Sequence, residues 1–243
     1  MTLPTLKPDL RSLVENLSFA QKEARSLALI ERAYVRYGKG LVVAHSLGKD
    51  SSVVWHLAKR VDERIRGFIV TTRFKPEGTV RFMREEVRRH QELAVFQSDA
   101  AIPEGLHATD PDRCCQLLKV EPTRRALASL GADCWITGLR CTEGRTRTEF
   151  REREQRGDGL EKLNPILIWN EREVWQYLAL YQVPVNPLYL EGYRSLGCEP
   201  CTQIAAGGNE RDGRWLGLSK CGGECGIHTQ PLGIQSSRDE VAP

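Results

Sequence analysis

The chain has 243 residues, 40% of them hydrophobic and 28% charged, and its 35 Lys+Arg against 32 Asp+Glu give a formal net charge of +3. That composition excludes general disorder, and the near balance of charge argues against an obligate nucleic-acid binder. No apolar run approaches the roughly 20 residues needed to span a bilayer. The segment Met1 to Pro8 lacks the basic start and long apolar stretch of a signal peptide, so the expected location is cytoplasmic. In a reducing compartment the eight cysteines, at 114, 115, 134, 141, 198, 201, 221 and 225, point to metal ligands or reactive thiols rather than disulfides.

Apolar residues recur at spacings of three and four from Leu13 to Ala33, which predicts a helix over 10–36 closed by Gly38 and Gly40. Leu41-Val42-Val43-Ala44 predicts a buried strand, 46–52 a loop and 53–60 a helix. Further strands are expected at 65–71, 93–96, 134–137 and 165–168, with helices at 77–90, 113–130 and from Asn170 through Tyr181. Pro122 interrupts or restarts the 113–130 helix, and Asn170 with Glu173 forms a capping-box pattern. Strands alternating with helices imply a parallel sheet covered on both faces. Beyond Pro184 Gly, Pro and Cys punctuate the chain every few residues. The expected organisation is an α/β domain over 1–183, an irregular Cys-rich appendage over 184–228 and a mobile tail over 229–243.

Three segments carry chemistry. Ser46-Leu47-Gly48-Lys49-Asp50-Ser51-Ser52 joins a strand to a helix, where backbone N–H groups and the helix dipole favour an anion. Gly48 permits close approach, Lys49 brings charge and the serines bring hydroxyls, although no Walker A pattern is present. Cys114-Cys115 and the CxxC of Cys198 and Cys201 offer four thiolates. Adjacent cysteines suit an iron–sulfur core better than tetrahedral zinc. Cys134 reads as a buried small hydrophobe, and Cys141 has no partner in the pattern. In Lys220-Cys221-Gly222-Gly223-Glu224-Cys225-Gly226-Ile227-His228, Lys220 and His228 are placed to lower the pKa of Cys225. A metal pair of Cys221 and Cys225 with His228 as third ligand is the competing reading.

The 46–52 loop resembles the SGGKDS pyrophosphate loop of the adenine-nucleotide alpha-hydrolase superfamily, with Leu47 in place of the first glycine. Asp110 to Cys115 with Lys119 to Pro122, Trp135 to Arg140, Asn186 to Leu188, Gly197 to Thr202, Arg211 to Trp215 and Glu224 to His228 together resemble the sulfonucleotide reductases of sulfate assimilation. The resemblance is to the iron–sulfur adenylyl-sulfate (APS) type and spans about Leu41 to His228. It implies a Rossmann-like parallel sheet of the alpha-hydrolase type and a [4Fe–4S] cluster on Cys114, Cys115, Cys198 and Cys201. It further implies Cys225 as nucleophile, tuned by His228, and thioredoxin or glutaredoxin as reductant. Substrate contacts are expected from Ser46, Gly48, Lys49, Ser51, Lys119, Arg140, Arg147, Arg211 and Arg214. Arg145, Arg151, Arg153 and Arg156 read as surface charges among interleaved glutamates. APS is expected over the 3′-phosphorylated PAPS because the cluster cysteines are retained, and a homo-oligomer is compatible with the chain. No membrane or nucleic-acid partner is expected.

Three departures mark this chain: Lys49-Asp50 in the loop, Thr71-Thr72-Arg73 after the second strand, and the insertion Cys221-Gly222-Gly223. The first favours an alternative, an ATP-dependent sulfur-transfer enzyme such as a tRNA thiolase. Arginine richness (26 Arg to 9 Lys) suggests a more distant one, a zinc-stabilised RNA-binding module.

Overall fold

A computed structural model describes residues 6–156, 159–204, 208–218, 220, 224, 226–228 and 232. The chain opens with α1 (Pro8–Asn16) and α2 (Phe19–Tyr37) rather than one helix over 10–36. Leu17 is extended, and Ser18 starts a new helix by accepting the Gln21 N–H while the Gln21 side chain accepts the Ser18 N–H. Then follow β1 (Leu41–Ala44), α3 (Lys49–Val61), β2 (Arg66–Thr71), α4 (Glu77–Arg89) and β3 (Leu93–Gln97). The short α5 (Leu106–Thr109) and α6 (Pro111–Cys115) lead through a π-helical turn, Gln116–Val120, into α7 (Glu121–Ser129). Pro122 sits in the first turn of α7, directly after the π-helical turn. The rest comprises β4 (Cys134–Ile136), β5 (Arg153–Gln155), β6 (Glu161–Leu163) and α8 (Glu171–Leu180).

The sheet order is β3-β2-β1-β4-β6-β5, parallel throughout except that β5 runs antiparallel to β6. Alternation along β1 sends Leu41 and Val43 into a core with α2, α3 and α8, and Val42 into a second core with Phe68, Trp135 and Leu127. Both faces are thus covered, as parallel sheets require. The sequence expectation of a strand over 165–168 is corrected: the strand is β6, and it pairs with a hairpin partner, β5, that the sequence pattern does not signal. Pro165 has no N–H to give a ladder, and Ile166 to Trp169 are buried in turns, with Leu167 N–H on Asn164 O at 3.1 Å and Trp169 N–H on Ile166 O at 3.0 Å. Among the described residues no helix is long and apolar enough to cross a membrane.

The turns Pro187–Tyr189 and Glu199–Cys201 are fastened across the ends of β1 and β2: Asn186 Nδ2 donates to Leu47 O at 3.3 Å and Glu199 N–H to Phe74 O at 2.8 Å. Of the expected tail over 229–243 only Leu232 is described, buried in the Val42–Phe68–Trp135 cluster.

Candidate active site

The loop after β1 is shorter than the sequence suggests, because α3 begins at Lys49 and carries Ser51 and Ser52 in its first turn. Ser51 Oγ accepts the Ser46 N–H at 3.1 Å and donates to Gly48 O at 2.8 Å, while Tyr189 Oη accepts the Lys49 N–H at 2.8 Å. Leu47 has φ +68°, a left-handed backbone costing a side chain about 1–2 kcal/mol. Three things hold it there. Its side chain is buried, Asn186 grips its carbonyl, and its N–H donates to His45 Nδ1 at 3.0 Å. His45 Nε2 in turn lies 3.5 Å from Glu86, a buried residue of α4. Gly138, after β4, touches the first turn of α3 so closely that a Cβ would meet Ser51 N at 2.9 Å.

These segments surround a cleft of about 1150 Å³, its open mouth included, at the carboxyl end of the sheet. Ser46, Gly48, Lys49, Ser51, Lys119, Arg147, Arg211, Arg214 and His228 all line it. Arg140 does not; it is fully buried behind Lys49, paired with Asp50 and Glu210. Lys49 Nζ reaches Glu210 at 2.8 Å, Asp50 at 3.5 Å and Arg194 O at 2.9 Å. Burial would lower the Lys49 pKa, but Asp50, Tyr189 and Glu210 outweigh it and hold the ammonium charged. For Glu210 burial prevails over Arg140 and Lys49, and its carboxyl lies above the ordinary range.

A second set of charges faces it. Arg147 pairs with Glu143 and, at 2.7 Å, with Glu224; Arg211 lies 3.6 Å from Glu143 and 3.3 Å from Glu224. Burial disfavours the Glu143 and Glu224 carboxylates, yet Arg147 and Arg211 overcome it and pull both pKa values below the usual range. Arg214 has no carboxylate partner among the described residues; it stacks 4.4 Å over Trp215 and donates to Leu196 O at 2.7 Å. His228 stacks on Trp135 at 5.9 Å, and its Nδ1 has no hydrogen-bond partner among the described residues. Burial, reinforced by Lys162, drives its pKa well below that of a free imidazole, so it is neutral at pH 7.

Next to the cleft Cys114, Cys115, Cys198 and Cys201 border one small cavity with Phe74, His107 and Lys119. Lys119 lines both this cavity and the cleft. Burial raises the Cys198 thiol, but Lys119, Lys75, the Thr72 hydroxyl at 3.3 Å and Arg214 more than offset it. No three His, Cys, Asp or Glu side chains among the described residues gather tightly enough for a single metal ion. Cys134 and Cys141 are fully buried, and burial pushes Cys141 up to about 11. Cys221 and Cys225 lie outside the described residues.

The model of the phosphoadenosine phosphosulfate reductase domain matches residues 40–204. The chain belongs to this family. An adenosine 5'-phosphosulfate reductase of Allochromatium vinosum is 36% identical over 223 residues, 85% of each chain. A phosphoadenosine 5'-phosphosulfate reductase of Gloeobacter violaceus is 32% identical over 231 residues, 90% of this chain and 94% of its own. The crystal structure of a phosphoadenylyl-sulfate reductase from Candida auris, a phosphate complex, shares the fold with TM-score 0.64 at 21% identity, covering 83% of this chain and all of that one.

As a sulfonucleotide reductase the chain is an oxidoreductase with a mixed α/β fold. Several lining residues escape sequence reasoning. Glu143 reads as one of the glutamates interleaved among surface arginines, Glu224 only as part of the Glu224–His228 segment, and Tyr189 and His45 carry no signal in the pattern; only the folded chain shows them facing the expected substrate cations or the loop. Arg153 and Arg156, expected at the surface, divide: Arg153 is exposed on β5 and paired to Glu161, while Arg156 Nη1 approaches His228 O at 3.5 Å.

Proposed function

We propose that the chain reduces adenylyl sulfate to sulfite and AMP through a cysteine S-sulfonate. The supporting observation is that Lys119 lines both the cleft of the anion loop and arginines and the four-cysteine cavity. A cation shared in this way couples the two sites electrostatically.

Sulfate is a poor electrophile, but its mixed anhydride with AMP has a good leaving group. In the proposed sequence the Cys225 thiolate attacks the sulfur of APS, an S–S bond forms, the S–O bond to phosphate breaks, and AMP departs with the electron pair. One thiol of a thioredoxin or glutaredoxin then attacks Sγ of the S-sulfocysteine and expels sulfite. Its second thiol resolves the mixed disulfide, so the reductant supplies both electrons and leaves oxidised. Arg147, Arg211 and Arg214 hold the anionic end of the substrate and screen it from the approaching thiolate. A neutral His228 accepts or donates one hydrogen bond through Nδ1 without adding charge.

The residues fit a [4Fe–4S] cluster: Cys114, Cys115, Cys198 and Cys201 would hold it, and bound there it supplies fixed charge beside Lys119. Retention of all four thiols favours APS over PAPS. Arg73, the arginine just after β2 that could serve a 3′-phosphate, turns to Ala100 O at 2.7 Å and does not line the cleft.

The test is an anaerobic assay of sulfite release from APS and PAPS side by side with reduced thioredoxin. Higher kcat/KM with PAPS would overturn the substrate assignment, and AMP with pyrophosphate released from ATP would favour the sulfur-transfer reading. With APS and no reductant, the protein should gain one SO₃ unit on Cys225. Cys225→Ser should lose adduct and turnover, whereas Cys221→Ser should keep the adduct; an adduct mapped to Cys221 would refute the nucleophile.

A further inference from the structure

The anion loop of this chain carries Lys49 and Asp50, the pattern of loops that grip a pyrophosphate, yet its lysine does not face the cleft as a spare cation. Lys49 and Arg140 are 1% and 0% exposed, and both converge on the same carboxylate, that of Glu210, itself 6% exposed. Glu210 comes from the segment after the CxxC, whereas Lys49 and Arg140 come from α3 and the loop after β4. The contact is therefore a long-range one, made only when that segment folds over the sheet. With Asp50 the four groups sum to zero charge.

We infer that Glu210 is a specificity-determining residue: its carboxylate takes the Lys49 and Arg140 cations that a second phosphate would need, and so denies the loop to pyrophosphate and nucleoside triphosphates. A terminal phosphate carries about −1.5 to −2 charge and must find cations when it leaves water. With Glu210 in place it would instead meet a neutral quartet whose positive members are already engaged. A substrate ending in a sulfate has less charge to compensate and can rely on Arg214, which lines the other side of the cleft and has no carboxylate partner among the described residues. Building a repulsive element against the wrong ligand is a general route to specificity. The inference rests on the sulfonucleotide reading of the cleft, and it explains how a loop of pyrophosphate-binding form serves a different anion.

Inorganic pyrophosphate, with sulfate as control, is the probe, titrated by calorimetry into full-length protein under anaerobic conditions. Wild-type protein should bind pyrophosphate no more tightly than sulfate. Glu210→Gln should gain about tenfold or more in pyrophosphate affinity, equivalent to about 1.4 kcal/mol, with sulfate affinity changing far less. Adding Lys49→Met to Glu210→Gln should return pyrophosphate affinity to the wild-type level. A Glu210→Gln affinity equal to wild type, or a gain that survives Lys49→Met, overturns the inference. Loss of a buried carboxylate leaves the two cations under-compensated, so Glu210→Gln should also show a larger rise in Tm with pyrophosphate than wild type does. If that variant fails to fold, Glu210→Asp keeps the charge but shortens its reach, and must show a smaller gain in the same direction. Tight pyrophosphate binding by the wild-type protein would by itself refute the proposal. None of these measurements uses turnover, so failure of sulfite release from APS and failure of the Glu210 assignment are read separately.

Discussion

Lys162 gives the structure its sharpest pH signature. It lies in β6, fully buried, with Glu154 at 3.3 Å and the Phe150 ring 4.1 Å from Nζ. Burial lowers its pKa, and Glu154 restores only part of the loss, leaving it at about 8 against 10.5 for an ordinary lysine. Between those values the unfolded chain binds more protons than the folded one, so unfolding free energy must rise with pH. Below pH 8 both states are protonated and above 10.5 both are neutral, so the contribution is flat outside the window. A shift of 2.5 pK units from 10.5 to 8 corresponds to about 3 kcal/mol. In a chain of this length that is roughly 6–12 °C in Tm. Cysteines and tyrosines titrate in the same range, so the comparison is a difference: denaturant unfolding of wild type and Lys162→Met at pH 7, 8, 9 and 10 under reducing anaerobic conditions. Methionine preserves length, and Glu154 keeps its hydrogen bond from Asn164 Nδ2 at 2.7 Å. The stability difference between the two proteins should shift by about 3 kcal/mol in favour of wild type as pH rises across the window. Parallel pH profiles would show that the buried ammonium is not under the stated desolvation. Because Lys162 also depresses His228, the same variant should raise the His228 pKa, measured by imidazole NMR shifts.

Two further outcomes follow from the same geometry. Cys→Ser at 114, 115, 198 or 201 should lower iron and acid-labile sulfide together, and stoichiometric zinc without sulfide in anaerobic protein would defeat the cluster assignment. Leu47→Gly should destabilise the protein despite relieving a positive φ: the relief is about 1–2 kcal/mol, whereas emptying a buried leucine site costs about 3–5 kcal/mol. Denaturant midpoints settle it, and a variant as stable as wild type would show that the loop, not the core, dominates at this position.

Where local signals and tertiary demand agree, the fold was legible. Four consecutive apolar residues between glycines and a polar loop could only be β1, and Asn170 with Glu173 makes the capping box that opens α8. Legibility failed where a distant partner pays for an unfavourable residue. Glu161-Lys162-Leu163 does not look like an interior strand, yet Glu161 is covered by Arg153 and Tyr37 and Lys162 by Glu154. Those partners come from other elements, so the sequence window around β6 held no sign of them. The break at Leu17 was hidden differently: the apolar spacing continues across it, and only the capping pair of Ser18 and Gln21 marks it.

The cleft poses the same difficulty in electrostatic form. Its cations were legible by type, but their effective charge was not, because charge counts only after partners are subtracted. Lys49, Arg140, Arg147 and Arg211 face Asp50, Glu210, Glu143 and Glu224, so four cations that the sequence presents as available form two neutral quartets in the fold. The two quartets differ in kind. In the first, Arg140 and Glu210 lie behind the cleft wall that Lys49 and Asp50 line, and an incoming anion would have to displace a carboxylate held by two cations. The second lines the cleft directly, and its Glu224 stands one residue before Cys225 in sequence. An anion that competes with Glu224 for Arg147 and Arg211 therefore competes with the neighbour of the proposed nucleophile. The neutral resting quartet keeps two buried guanidinium groups compensated, at a desolvation cost neither could bear alone. In the proposed reaction the substrate takes those arginines, and the same charges then serve the transfer.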